Sequence, residues 1–68
     1  MKPIYGSTKI LGKDGRMFSG VEIMQARASV LDIIADRSFD FLRREGESDG
    51  DFRARFIVFL QETEAAHE

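Results

Sequence analysis

The stretch from Ser19 to Glu45 constrains the fold more than any other, because it carries a helix start, a helix stop and an amphipathic pattern between them. Ser19 precedes Glu22 by three residues, the capping-box spacing in which each side chain satisfies an orphaned backbone amide of the first turn. Phe18 before the cap and Ile23 at the fourth helical position have the spacing of a hydrophobic staple. At a hundred degrees per residue, Ile23, Met24, Val30, Leu31, Ile34, Ala35, Phe41 and Leu42 collect on one side. Gln25, Ser29, Asp32, Asp36, Asp40 and Arg43 collect on the other. Arg43 and Arg44 place cations in the last turn, and Gly46 stands where a left-handed C-cap is needed. The pattern predicts a helix over 19–45. Uninterrupted it would run roughly 40 Å at 1.5 Å per residue, longer than a globule of this size is wide. A bend is therefore expected near Arg37-Ser38, or a projecting end that a second subunit covers.

The rest of the chain reads as partners of that helix. Asp14-Gly15 is a type I′ hairpin dipeptide between two short apolar runs. It predicts a β-hairpin over 4–18 with Leu11 opposite Phe18. Ser48 and Asp51 repeat the cap logic, and Asp49 and Asp51 put negative charge into a first turn. A second helix over 48–66 follows, with Phe52, Phe56, Phe59, Leu60 and Thr63 on one face. About three residues join the helices, a length that folds them back antiparallel. The last residues, 64–68, read as a fraying end. The expected class is mainly α within α+β, a single small domain over 1–68: hairpin, long amphipathic helix, second antiparallel helix.

Sixty-eight residues bury a small core, since chains near this size hide only about 60% of their unfolded surface. With no cysteine, neither disulfides nor thiolate-bound metal supplement it. Ten basic and twelve acidic residues give a net charge of −2, so there is no global pull toward nucleic acid or anionic membrane. Residues 1–18 carry four basic groups and one acid, and residues 19–68 six and eleven: a basic hairpin on an acidic helical body. The start of the chain shows no apolar leader. The longest apolar run, Phe56 to Leu60, is far shorter than the roughly 20 residues of a membrane span. A soluble, cytoplasmic protein is expected, in the host cytoplasm or in a virion if phage-encoded.

Motifs for chemistry are missing. Gly12-Lys13-Asp14-Gly15 lacks the glycine spacing and the Lys-Ser/Thr pair of a phosphate loop. Asp49-Gly50-Asp51 is not a calcium loop, because Arg53 stands at the third ligand position. His67 is the only histidine. Asp32, Asp36 and Asp40 form a carboxylate ladder, which reads as a solvated face in the absence of a cleft that separates their pKa values. No catalytic residue, cofactor, metal or small-molecule substrate is expected.

Two groups of residues remain. Ile33 and Phe39 fall outside the stripe of the first helix, and Ile57 and Val58 outside that of the second, which makes them the expected protein interface. Arg43, Arg44, Arg53 and Arg55 flank the inter-helix turn and form a candidate anion or nucleic-acid patch; the interleaved Glu45, Glu47, Asp49 and Asp51 favour mutual neutralisation. Arg27 falls within the apolar stripe, and its aliphatic stem is expected to run to a solvent edge.

Leu31-Asp32-Ile33-Ile34-Ala35-Asp36-Arg37, followed by Arg43-Arg44-Glu45-Gly46-Glu47-Ser48-Asp49-Gly50-Asp51-Phe52-Arg53-Ala54-Arg55-Phe56, resembles a passage of tailed-bacteriophage structural proteins. In tail and baseplate proteins of that kind a helix is followed by a Gly-Glu-Ser-Asp turn and an aromatic-Arg-x-Arg helix start. The resemblance covers about a third of the chain and implies a virion or assembly component that packs against other subunits, without catalytic residues. Composition and pattern together lead to a non-enzymatic protein acting through protein–protein contacts, as a homo-oligomer or on another protein. The alternatives are a small dimeric DNA-binding regulator and an inhibitor that docks on a host protein.

Overall fold

A computed structural model describes residues 3–63 and the strand Ala66–His67. Near the N-terminus, the Gly12 amide donates to the Arg16 carbonyl (2.7 Å) and the Gly15 amide to the Gly12 carbonyl (3.0 Å). Gly15 has φ 87°, so the loop is a turn closed by a left-handed glycine. The loop pairs β1, Lys9–Leu11, with β2, Met17–Ser19, and sets Ile10 opposite Phe18 and Leu11 opposite Met17. The predicted pairing of Leu11 with Phe18 is off by one. A three-residue loop in place of a two-residue one makes that shift, and in a sheet such a shift decides which side chains face the core. Ile10 and Phe18 are buried; Leu11 and Met17 are exposed.

The predicted helix over 19–45 is two helices and a connection. α1, Gly20–Gln25, starts as expected: Ser19 Oγ accepts from the Glu22 amide (3.3 Å), and the Ser19 amide donates to Glu22 Oε1 (3.2 Å). Gly20 is buried so closely against the segment that precedes β1 that a Cβ there would lie 1.9 Å from the Tyr5 carbonyl oxygen. Ala26 and Arg27 are extended, with ψ of 141° and 152°, and α2 then runs Ala28–Phe39. The interruption lies at 26–27, and α2 passes through Arg37-Ser38 unbroken.

α2 ends at a left-handed Asp40, φ 52°. The Asp40 amide donates to the Asp36 carbonyl (3.2 Å) and the Phe41 amide to the Ala35 carbonyl (2.9 Å), the paired bonds of a Schellman motif. Gly46, φ 76°, is thus no C-cap but part of the connection over 40–48. Ser48 caps α3, Asp49–Glu62, by accepting from the Asp51 amide (3.2 Å). Predicted to reach 66, this helix stops at 62. β3, Ala66–His67, then lies antiparallel to β1 and completes a three-stranded sheet in the order β2-β1-β3. The rest of the expected fraying end, Glu64, Ala65 and Glu68, lies outside the described residues. The class is mixed α+β, mainly α, with a hairpin followed by helices.

All six phenylalanines form one connected cluster between sheet and helices. Phe18 of the sheet meets Phe39 of α2 (6.1 Å between centroids), and Phe39 meets Phe56 of α3 (5.4 Å). Phe41 touches Phe52, Phe56 and Phe59 at 5.7, 5.2 and 4.7 Å. Ile10, Ile23, Leu31, Ile34, Ala35 and Leu60 complete the core. The hairpin loop docks on the end of α2: the Lys13 amide donates to the Ser38 carbonyl (2.7 Å), and Ser38 Oγ donates to Asp14 Oδ2 (3.1 Å). Gly12 permits that approach, since a Cβ there would lie 2.7 Å from the Ser38 Cβ. No helix among the described residues is long and apolar enough to cross a membrane.

Candidate interaction surface

The interruption at 26–27 changes which apolar residues reach the core. Two extended residues uncouple the rotation of α1 from that of α2, so the single stripe read along 19–45 divides. Ile23, Leu31, Ile34 and Ala35 remain inside, whereas Met24, Val30 and Leu42 are exposed. Val21, Glu22, Gln25, Ala26, Val30 and Ile34 line an open groove of about 340 Å³ between the two helices. Met24, one turn from Val21 on α1, and Ile33, one turn from Val30 on α2, are exposed as well, though neither lines the groove. This surface holds two of the chain's uncharged aliphatic anchors per helix with polar groups at its edge, the composition of a protein contact more than of a reaction site.

Of the four residues predicted as interface, Ile33 is 49% and Val58 43% exposed, and Ile57 is half-buried against the core. Phe39 is 6% exposed and belongs to the core. Its position follows from the period of α2 itself: the helix buries Leu31, Ile34, Ala35 and Ser38, and Phe39, four residues past Ala35, closes that face against Phe18 and Phe56. Ile33 lies on α2 one turn from the groove residue Val30, and Val58 lies on α3. Met24 and Val30 were missed as surface because their spacing fits the continuous stripe, whereas Val21 lies outside that stripe and was not singled out. Arg27 is also exposed, at the N-cap of α2, and does not thread an apolar face.

The arginine patch is not assembled as a patch. Arg43 reaches Asp32 on α2 (Nη2 to Oδ1, 2.9 Å), Asp49 at the start of α3 (Nη1 to Oδ1, 2.6 Å) and the Glu47 carbonyl (3.2 Å). Its guanidinium lies 5.0 Å from the Phe52 ring centroid. Its hydrogen bonds to Asp32 and then to Asp49 raise its pKa. Arg55 donates to both Glu47 oxygens (2.8 Å each) and to the Leu42 carbonyl (2.7 Å), and it stacks 4.3 Å from the centre of Phe41. The Arg55 side chain, followed by the Arg44 amide, holds the Glu47 carboxyl down at about 2. In return Glu47 raises the pKa of Arg55. The interleaved acids therefore neutralise these arginines, and the two forks fasten the 40–48 connection to both helices.

Arg53 does something else. Its guanidinium donates to the carbonyls of Ile23 (2.7 Å), Met24 (3.0 Å) and Ala26. These are the acceptors that the end of α1 leaves without partners. One side chain from α3 thus caps α1 across 30 residues of sequence. No local signal in the sequence marks it, since a residue's role as a long-range C-cap depends on the tertiary path. Arg44 is exposed and contributes its backbone amide to Glu47 (3.0 Å).

The carboxylate ladder is dispersed. Asp32 pairs with Arg43, Asp36 is exposed, and Asp40 caps α2 beside Lys13. Among the described residues no group of three or more His, Cys, Asp or Glu side chains could hold a metal ion. The molecule is thus a small hairpin-plus-helices domain in which Arg43, Glu47, Arg53 and Arg55 serve the fold and a mainly apolar groove stays open between α1 and α2. No protein-family model matches the chain, and no curated protein or solved structure is significantly similar to it.

Proposed function

We propose that the chain is a small non-enzymatic assembly protein that works by protein–protein contact, pairing its α1–α2 face with a second copy in a larger particle. The observation that carries this is the apolar groove, with Val21 and Val30 on its walls and Met24 and Ile33 beside them, all exposed in the isolated subunit. Burying such side chains is worth about 1.5–3 kcal/mol each when complete, a large increment for a domain this small. The resemblance of residues 31–37 and 43–56 to tail and baseplate proteins points to a virion component, made and assembled in the cytoplasm. A DNA-binding role draws less support, because Arg43, Arg53 and Arg55 already hold internal acceptors.

Size-exclusion chromatography with light scattering at micromolar concentration tests the proposal. A mass that is a multiple of 7.7 kDa is expected, and Ile33→Asp should return it to the monomer with an unchanged circular dichroism spectrum. A wild-type chain that stays at 7.7 kDa across the concentration range overturns it.

A further inference from the structure

The joint at Ala26-Arg27 is bent although its sequence is written for a straight helix. From Val21 to Glu45 there is neither glycine nor proline, and Gln25, Ala26, Arg27 and Ala28 are among the better helix formers. The apolar spacing also runs in phase across the joint: Ile23 and Met24, then Val30 and Leu31, then Ile34 and Ala35 form one stripe only if the helix is continuous. Arg27, the N-cap of α2, makes no side-chain capping bond. Among the described residues, what satisfies the broken end of α1 is the Arg53 side chain, besides the Ala26 amide bond to the Glu22 carbonyl (2.9 Å).

We infer that Arg53 is a latch, and that its release lets α1 and α2 join into one helix over 20–39 and exchange the hairpin–α1 module between two copies of the chain. Straightened, that helix is roughly 30 Å long at 1.5 Å per residue, close to the 33 Å length of the whole molecule. The hairpin then leaves its own α2 and α3, and Ile10, Phe18 and Ile23 lose the core they share with Phe39 and Leu31. A lone open chain would expose that surface to water. A second open copy restores it with the same contacts, including β1 against β3, which is the logic of domain swapping. The groove of Val21 and Val30 exists only in the bent form, so a partner seated there would hold the latch closed.

Docking through the α1–α2 face opposes the exchange because it selects the bent form, and an Ile33→Asp background removes that docking so that the exchange is read by itself. In that background Arg53→Met is expected to give a species of twice 7.7 kDa with stronger helical dichroism at 222 nm. Adding Arg27→Pro should return it to the monomer, because Arg27 already has φ −61° and Ala26 ψ 141°, values that proline and the residue before it require. Arg53→Met that remains monomeric, folded or unfolded, overturns the proposal, as does a dimer that Arg27→Pro leaves intact. A second measurement leaves Arg53 in place: the Ile33→Asp chain refolded from denaturant at high concentration should yield a minor dimer, which Arg27→Pro removes. Its absence there also counts against exchange.

Discussion

At residues 40–48 the chain leaves the helix behind a left-handed Asp40, and Arg43, Glu47 and Arg55 fasten the connection through several ionic and carbonyl contacts. At residues 26–27 it leaves the helix with no glycine, no proline and one long-range side chain, Arg53. Both interruptions fall within a stretch whose periodicity reads as one helix. The first is redundantly held, by partners on α2, α3 and the connection itself; at the second, the broken helix end is capped by one side chain. A redundantly fastened bend belongs to the fold, and a singly fastened one can be undone.

The largest expected effect erases the contrast. Phe56 touches Phe39 of α2 and Phe41 of the connection, as well as Phe52 and Phe59. Phe56→Ala should cost about 3–5 kcal/mol in urea denaturation, against a total of roughly 3–10 kcal/mol for a domain of this length. Much of the population should then be unfolded at room temperature. A loss under about 1.5 kcal/mol would mean that the aromatic cluster does not join the two regions.

Acid should separate them. The Glu47 carboxyl sits at about 2 in the folded chain against an ordinary 4.5. As pH falls, the unfolded state therefore takes up the proton first. The stability Glu47 supplies is whole above 4.5, declines from there toward 2 and is gone below. Arg53 meets only carbonyl oxygens, so the joint has no carboxylate for acid to neutralise. Glu47→Gln should lower the melting temperature at neutral pH and flatten its decline between pH 4.5 and 2. A variant whose acid profile overlays the wild type would remove Glu47 from the connection's fastening.

How far each region was legible in the sequence follows the same division. The Ser19-Glu22 box and the Ser48 cap are short-range, and both form as their spacing predicts. The hairpin was legible too, though its register turned on whether the loop holds two residues or three. Exposure of the residues left over from the two stripes was half legible: Ile33 and Val58 are exposed, but Phe39 is not. The missed exposure of Met24 and Val30 has one origin. Periodicity assumes an unbroken helix, and the break at 26–27 depends on Arg53, whose partners lie 27 to 30 residues away. Neutralisation of Arg43 and Arg55 by nearby acids was legible, but the particular partners were not, since spacing along the chain does not say which acid or carbonyl each guanidinium will meet.

Arg27→Pro sharpens the contrast at the joint without disturbing the core. In the bent form it should change stability by less than about 1 kcal/mol in either direction, and a small gain is expected because proline restricts the unfolded chain. Within a continuous helix the same substitution costs about 3 kcal/mol or more. Thermal melts of the monomer decide between them, and a loss of the larger size would show that the joint is straight in solution.

The smallest effect probes the redundancy of the other bend. Asp40 holds a left-handed conformation that glycine adopts without penalty, and its exposed contact with Lys13 is of the kind that contributes little. Asp40→Gly should therefore be neutral or stabilising by about 0.5–1 kcal/mol, while Asp40→Ala keeps the strain and loses the contact, and should fall below wild type. If Asp40→Gly instead loses more than about 1 kcal/mol, the Lys13 contact is needed to hold the hairpin on α2. The 40–48 connection would then depend on a single side chain as the joint does, and the distinction between a fixed bend and a releasable one would no longer follow from the number of its fastenings.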